Sequence, residues 1–153
     1  MAGSLLHTPS EIIQALMVAQ GYGTLPSTSL TSWPISRDKE NTAAESTITV
    51  YDDEGVDRGR IMFNGARLGM EAYQIRVRAP TPAAAWLKAR LVAVAMDALY
   101  LVTVPLDLTS LVRKYYTVHS INRGQLIPLH ENKPTSAHGV VVFNCLSVIK
   151  MNP

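Results

Sequence analysis

Catalysis and metal binding need titratable or nucleophilic side chains that converge, so those residues come first. The four histidines, His7, His119, His130 and His138, stand at no spacing that metal ligation favours. His119 falls in an alternating run and reads as a hydrogen-bonded structural residue of a strand. His130 and His138 flank a polar loop and read as solvated. Cys145 is the single cysteine, which excludes an intrachain disulfide. It reads as a buried reduced thiol, because a nucleophilic cysteine wants a histidine and an electropositive setting, and its neighbours supply neither.

The acids fare no better as chemistry. Asp52-Asp53-Glu54-Gly55 lacks the alternate carboxylates and the distant bidentate glutamate of a calcium loop, and reads as a solvated turn. Asp97 is a lone carboxylate on an apolar helix, with Lys88 and Arg90 before it, and a lone acid is a poor general acid–base site. Gly21-Tyr22-Gly23 follows a helix and lacks the third glycine of a dinucleotide fingerprint. No Gly-x-Ser-x-Gly elbow occurs. The expectation is a protein without catalytic residues, metal or cofactor: not an enzyme.

The arginines carry more. Arg58, Arg60 and Arg67 lie between Asp57 and Gly69, a stretch with three glycines and three arginines around Ile61-Met62-Phe63. Such a segment has little use inside a small domain, and long stretches of this kind are usually functional. It is expected to be an extended arm or long hairpin that contacts another subunit or partner. Its guanidinium forks suit acids on a neighbour, and Asp52, Asp53 and Glu54 are the acids to meet. Arg58, Arg60, Phe63, Arg67, Asp52, Asp53 and Glu54 are therefore the candidate interface. Arg76 and Arg78 lie on the polar face of a strand and read as a solvated sheet face.

These residues need a scaffold, and its pieces are legible. Thr8-Pro9-Ser10-Glu11 is a capping box with proline at the first helical position, followed by an apolar stripe at Ile12, Ile13, Leu16 and Met17. Gly21 and Gly23 stop that helix. Ser32-Trp33-Pro34-Ile35 suggests a short edge strand, and Ser46 to Tyr51 a strand that the acids at 52–54 end. Ala72 to Ala79 is the clearest strand, with Tyr73, Ile75 and Val77 on one face. Thr81-Pro82 starts a second helix running to about Tyr100. Its apolar residues cover most of its circumference, so it is expected to be the more buried helix, covered by the sheet and by either the first helix or a neighbouring subunit. After Pro105 the pattern is β: Tyr115 to Asn122, a return strand at Gln125 to Leu129, and Gly139 to Ile149. The order predicts one α+β domain over residues 1–153, a mostly antiparallel sheet of four or more strands with two helices packed on one face.

Composition narrows the class. At 153 residues the chain has the size of one domain and can bury a core. Only 17% of its residues are charged, against about 25% in an average soluble domain, which suits a subunit whose surface is covered in an assembly. A net charge of +2 gives no general basic field for nucleic acid. Lys88, Arg90 and Asp97 interrupt the longest helical apolar run, so no membrane span is expected, and Met1 to Leu6 does not read as a signal peptide. The chain reads as soluble and made in a reducing compartment.

The layout also resembles a known family. Pro9-Ser10-Glu11-Ile12-Ile13-Gln14-Ala15-Leu16 with Gly21-Tyr22-Gly23-Thr24 is similar to the opening of minor head–tail proteins of long-tailed bacteriophages. So is Ile48-Thr49-Val50-Tyr51-Asp52, followed by Gly55 to Arg60, a strand rich in Val and Arg, and a Pro-Ala helix. The resemblance is to the tail terminator group, sometimes labelled minor capsid proteins, and extends over nearly the whole chain. It implies a subunit of a ring, usually a hexamer, that caps the tail tube and docks to the head connector, in the tail or neck of a virion assembled in the host cytoplasm. Its partners would be copies of itself, the tail tube protein and the connector protein, with DNA only passing through the ring lumen. A head-completion or stopper ring is the neighbouring alternative. A nucleic-acid-binding accessory domain using Arg76, Arg78, Tyr115 and Tyr116 on an open sheet face is the alternative from another class.

Overall fold

The computed structural model describes residues 5–25, 33–41, 44–60, 67–109, 112–129 and 139–152, with backbone alone for 55–60, 67–69 and 108–109. Two helices, α1 (Pro9–Ala19) and α2 (Pro82–Asp97), pack on one face of a seven-stranded, mostly antiparallel sheet. The strands are β1 (Ile35–Arg37), β2 (Thr47–Arg60), β3 (Arg67–Ala79), β4 (Val102–Thr109), β5 (Val112–Arg123), β6 (Ile127–Leu129) and β7 (Gly139–Met151). Their order is β1-β2-β3-β7-β5-β4, with β6 also on β7; only β1, beside β2, pairs in parallel. The α+β expectation is met, with one parallel edge added.

α1 forms because every amide of its first turn is satisfied. Pro9 has no N–H to satisfy. The N–H of Ser10 donates to Asp52 Oδ1 at 2.8 Å, and the N–H of Glu11 donates to Thr8 Oγ1 at 3.3 Å. Glu11 Oε2 in turn accepts from the Thr8 N–H at 3.0 Å, completing the capping box. At the other end Gly21 sits at φ +81°, and the Tyr22 and Gly21 N–H groups donate back to Met17 and Val18 at 3.0 and 3.1 Å. That is a Schellman stop, and it requires the left-handed residue that glycine provides most cheaply.

The core lies between the helices and the inner sheet face. Ile12, Ile13, Leu16 and Met17 of α1 meet Ile48 and Val50 of β2 and Tyr73, Ile75 and Val77 of β3, all fully or almost fully buried. Each such aliphatic side chain contributes about 1.5–3 kcal/mol on burial. The sheet curls, so that α1 touches β1 and β2 near one edge and β4 at the other. His7 ties that closure: its Nδ1 hydrogen-bonds the buried Tyr116 hydroxyl at 2.5 Å, and its Nε2 lies 3.3 Å from the Asp107 carbonyl.

Several expectations are corrected. β2 does not end at Asp52-Asp53-Glu54 but continues through them to Arg60. The β pattern begins before Pro105, not after it: β4 starts at Val102, and Pro105 sits within it, on an edge strand where the missing N–H costs no ladder bond. β6 does not return on β5. It pairs with β7 at Ile127↔Val142 and Leu129↔Val140, continuing β5 along the same edge of β7. The Gly124 N–H bonds to the Asn144 carbonyl at 2.7 Å, bridging the two. α2 ends at Asp97, and Leu101 at φ +50° turns the chain into β4.

Candidate assembly interface

Two features lack a complement among the described residues: the β2–β3 pair as far as Arg60 and Arg67, and the outer face of α2. The hairpin begins as ordinary sheet, with Ile48↔Val77 and Val50↔Ile75 in register and β7 on the far side of β3. β1 covers β2 only from Ile48 to Val50, and β7 covers β3 only as far as Glu71. Beyond that, among the described residues, β2 and β3 pair only with each other, through Val56↔Met70 and Asp57↔Gly69 to Arg60↔Arg67. From Asp53↔Ala72 to Arg60↔Arg67 this two-stranded ribbon takes five steps along β3, about 17 Å. Two register shifts, between Asp53 and Val56 and between Asp57 and Arg60, interrupt it, and irregularities of this kind bend a ribbon and add twist.

The candidate residues divide accordingly. Arg58 and Arg60 lie on the ribbon strand of β2, and Arg67 lies on β3 directly opposite Arg60. Phe63 lies outside the described residues. Asp53 and Glu54 are exposed at the root of the ribbon, and Asp53 Oδ1 accepts from the Glu54 N–H. Asp52 is the exception. Both its oxygens are engaged at the start of α1, Oδ1 by the Ser10 N–H and Oδ2 by the Ser10 hydroxyl, each at 2.8 Å. It is a helix cap supplied by a neighbouring strand, which the acidic run in the sequence concealed.

α2 has its side chains the unexpected way round. Ala85, Ala89, Ala93, Val92 and Met96 face the sheet and are buried, over β7, β3 and β5. The large residues face out: Trp86 is 43% exposed, Leu87 63%, Leu91 53% and Val94 59%. The helix is therefore not the more buried of the two; that is α1. Alanines let α2 lie close to the sheet, and Gly139 at the start of β7 shows how close. A Cβ there would come within 2.3 Å of Pro82 Cα. Of the bulky α2 side chains outside the core, Lys88 is an exception to solvent exposure, its ammonium 5.0 Å above the Trp33 ring centre, where burial lowers its pKa. α1 does not cover the outer face, as its neighbours are β1, β2, β3 and β4. Of the two covers that the sequence left open for this helix, the first helix is thus ruled out; the seam itself, in which Leu87, Leu91, Val94 and Ala98 recur at a spacing of four, three and four, was not singled out.

The residues weighed for chemistry are scattered. Cys145 is buried in β7, and burial pushes its thiol up to about 12, so it is protonated at neutral pH. Asp97 is held by Arg123, Nε to Oδ1 at 3.0 Å and Nη2 to Oδ2 at 2.9 Å. His119 meets the Tyr100 ring edge-on, but its Nδ1 is buried without the hydrogen bond expected for it. His130 and His138 lie outside the described residues. Among the described residues no three His, Cys, Asp or Glu side chains converge as metal ligands, and no helix is long and apolar enough to cross a membrane.

The open face invoked for nucleic acid does not assemble either. Tyr116 is fully buried on the inner face beside His7, whereas Tyr115, its neighbour in β5, is 47% exposed. Arg78 is tied down by the Asn41 and Ala44 carbonyls and by Glu40 at 3.3 Å, so it is not a solvated strand residue. Thr47 and Thr49, which flank Arg78 and Arg76 on β2, are buried. No protein-family model matches the chain, and no curated protein matches it in sequence.

Proposed function

We propose that this chain is a structural virion protein, a tail terminator subunit that closes into a ring on the end of the tail tube and joins it to the head connector. The observation that carries the reading is the β2–β3 ribbon. Two strands alone are marginally stable in water, and ordering a residue costs about 1–2 kcal/mol. A ribbon that runs past the described strands beside it gains most when a neighbour completes it. Head-to-tail contact of ribbon with neighbour is heterologous, the kind of contact that closes rings. The sequence puts Arg58, Arg60 and Arg67 toward the ribbon's end, and the exposed Asp53 and Glu54 at its root are the acids to receive a neighbour's arginines; Asp52 is not available. A low overall charge and the likeness in layout to tail terminators support the same reading.

The direct test is to concentrate the chain and view it by electron microscopy while following its mass. Rings with a central opening are expected from the wild type. The double variant Arg58→Glu, Arg60→Glu should fold with an unchanged thermal midpoint and give no rings. Rings unaffected by that reversal would refute the ribbon's role. Binding of the rings to tail tubes rather than to the connector alone separates a terminator from a head-completion ring.

A further inference from the structure

The outer face of α2 is separate from the ribbon and carries its own pattern. Leu87, Leu91, Val94 and Ala98 form one seam along the helix, all exposed. Spacing of four and three residues is the seam of a helix that packs against another helix. Arg90 and Asp97 sit seven residues apart on the same flank of that seam, with opposite charge. Arg90 has no ion pair among the described residues, and the Asp97 side chain, though held by Arg123, is 47% exposed.

A flank with one cation and one anion a heptad apart is complementary to itself when a second copy runs antiparallel. Leu91 then meets Val94, Leu87 meets Ala98, and each Arg90 faces the other copy's Asp97. In a parallel pair Arg90 would instead face Ala95 of the other copy, and neither charge would find its opposite across the seam. We propose that the outer face of α2 pairs with the same face of a second copy of this chain, antiparallel across a two-fold axis. The contact is isologous, so it is distinct from the head-to-tail contacts of a ring; added to a ring, it would join two rings face to face. A helix of 16 residues is about 24 Å long. A seam of that length covers less than the roughly 1,200–2,000 Å² of a stable complex, so pairing is concentration-dependent.

Sedimentation velocity of the full chain over a concentration series tests this, with variants chosen for exposed positions. Leu91→Glu should fold normally and lose the paired species. Arg90→Asp and Asp97→Lys should each weaken pairing about tenfold, because each sets like charges together twice. Mixed in equal amounts they should recover it, since both cross-pairs are then opposite in sign. Loss in each variant alone, together with recovery in the mixture, is the pattern that an antiparallel two-fold contact between residues 90 and 97 predicts. If Asp97→Lys disturbs the fold through Arg123, Arg90→Asp and Leu91→Glu still decide. A wild type that never pairs, a Leu91→Glu variant that pairs like the wild type, or a mixture of folded variants without rescue overturns the proposal. Ring formation lost only in the ribbon variants, with pairing intact, would leave this contact standing and locate that failure in the ring reading.

Discussion

The two helices begin alike and end as opposites. Both start with threonine as cap and proline in the first turn, and each threonine hydroxyl accepts the N–H three residues on. α1 then turns Ile12, Ile13, Leu16 and Met17 to the sheet, while α2 turns Ala85, Ala89 and Ala93 to the sheet and Leu87, Leu91 and Val94 to water. Capping decides where a helix starts; which face carries the bulk decides what the helix is for. α1 completes this molecule's core, and α2 supports the core with small residues while its large ones stay exposed.

The sharpest contrast is between large residues on the two helices. Leu16→Ala should cost about 2–5 kcal/mol, as a cavity opens in a packed core. Leu87→Ala, with the same chemistry removed from α2, should stay within about 0.5 kcal/mol for the single chain. Chemical denaturation of the dilute proteins measures both, and similar losses would break the comparison. The reverse substitution should separate the helices from the inner side. Ala89→Leu is expected to cost about 1–3 kcal/mol by overpacking against the sheet, whereas a leucine at exposed Ala84 should cost almost nothing.

A smaller effect concerns how α1 is anchored. Asp52→Ala removes the acceptor for the Ser10 N–H and hydroxyl, and should cost about 1–2 kcal/mol. The same change at Asp53, which binds only the neighbouring backbone, should be close to neutral. Alkali offers a further check. The Cys145 thiol titrates near 9.0 when unfolded and about 12 when folded, so the unfolded chain releases its proton first. Its contribution to stability is complete below pH 9 and is lost as pH rises through about 12. Cys145→Ala or Cys145→Val should flatten that part of the stability curve.

The contrast between the helices also explains what the sequence made legible. α1 is an amphipathic stripe bounded by a capping box and Gly21, and each signal is local, so its limits and buried face could be read directly. The inner face of β3 was equally plain, because Tyr73, Ile75 and Val77 alternate with polar residues. α2 lacks such contrast: alanine and leucine both count as apolar, and only the distance to the sheet selects alanine for the inner side. β6 was assigned the wrong neighbour because pairing along β7 depends on a bulge at Gly124 to Leu126, not on any turn signal. Asp52 was assigned to an interface because its partner Ser10 is 42 residues away in the chain. Local signals were read well, and long-range choices were not.

The most direct test of an assembly role is the mass of the intact chain in solution across a wide concentration range. The account predicts a rise from one chain to larger closed species as concentration increases, blunted by Leu91→Glu at the α2 face and by Arg58→Glu with Arg60→Glu on the ribbon. A wild-type chain that keeps the mass of a single subunit up to its solubility limit would contradict it.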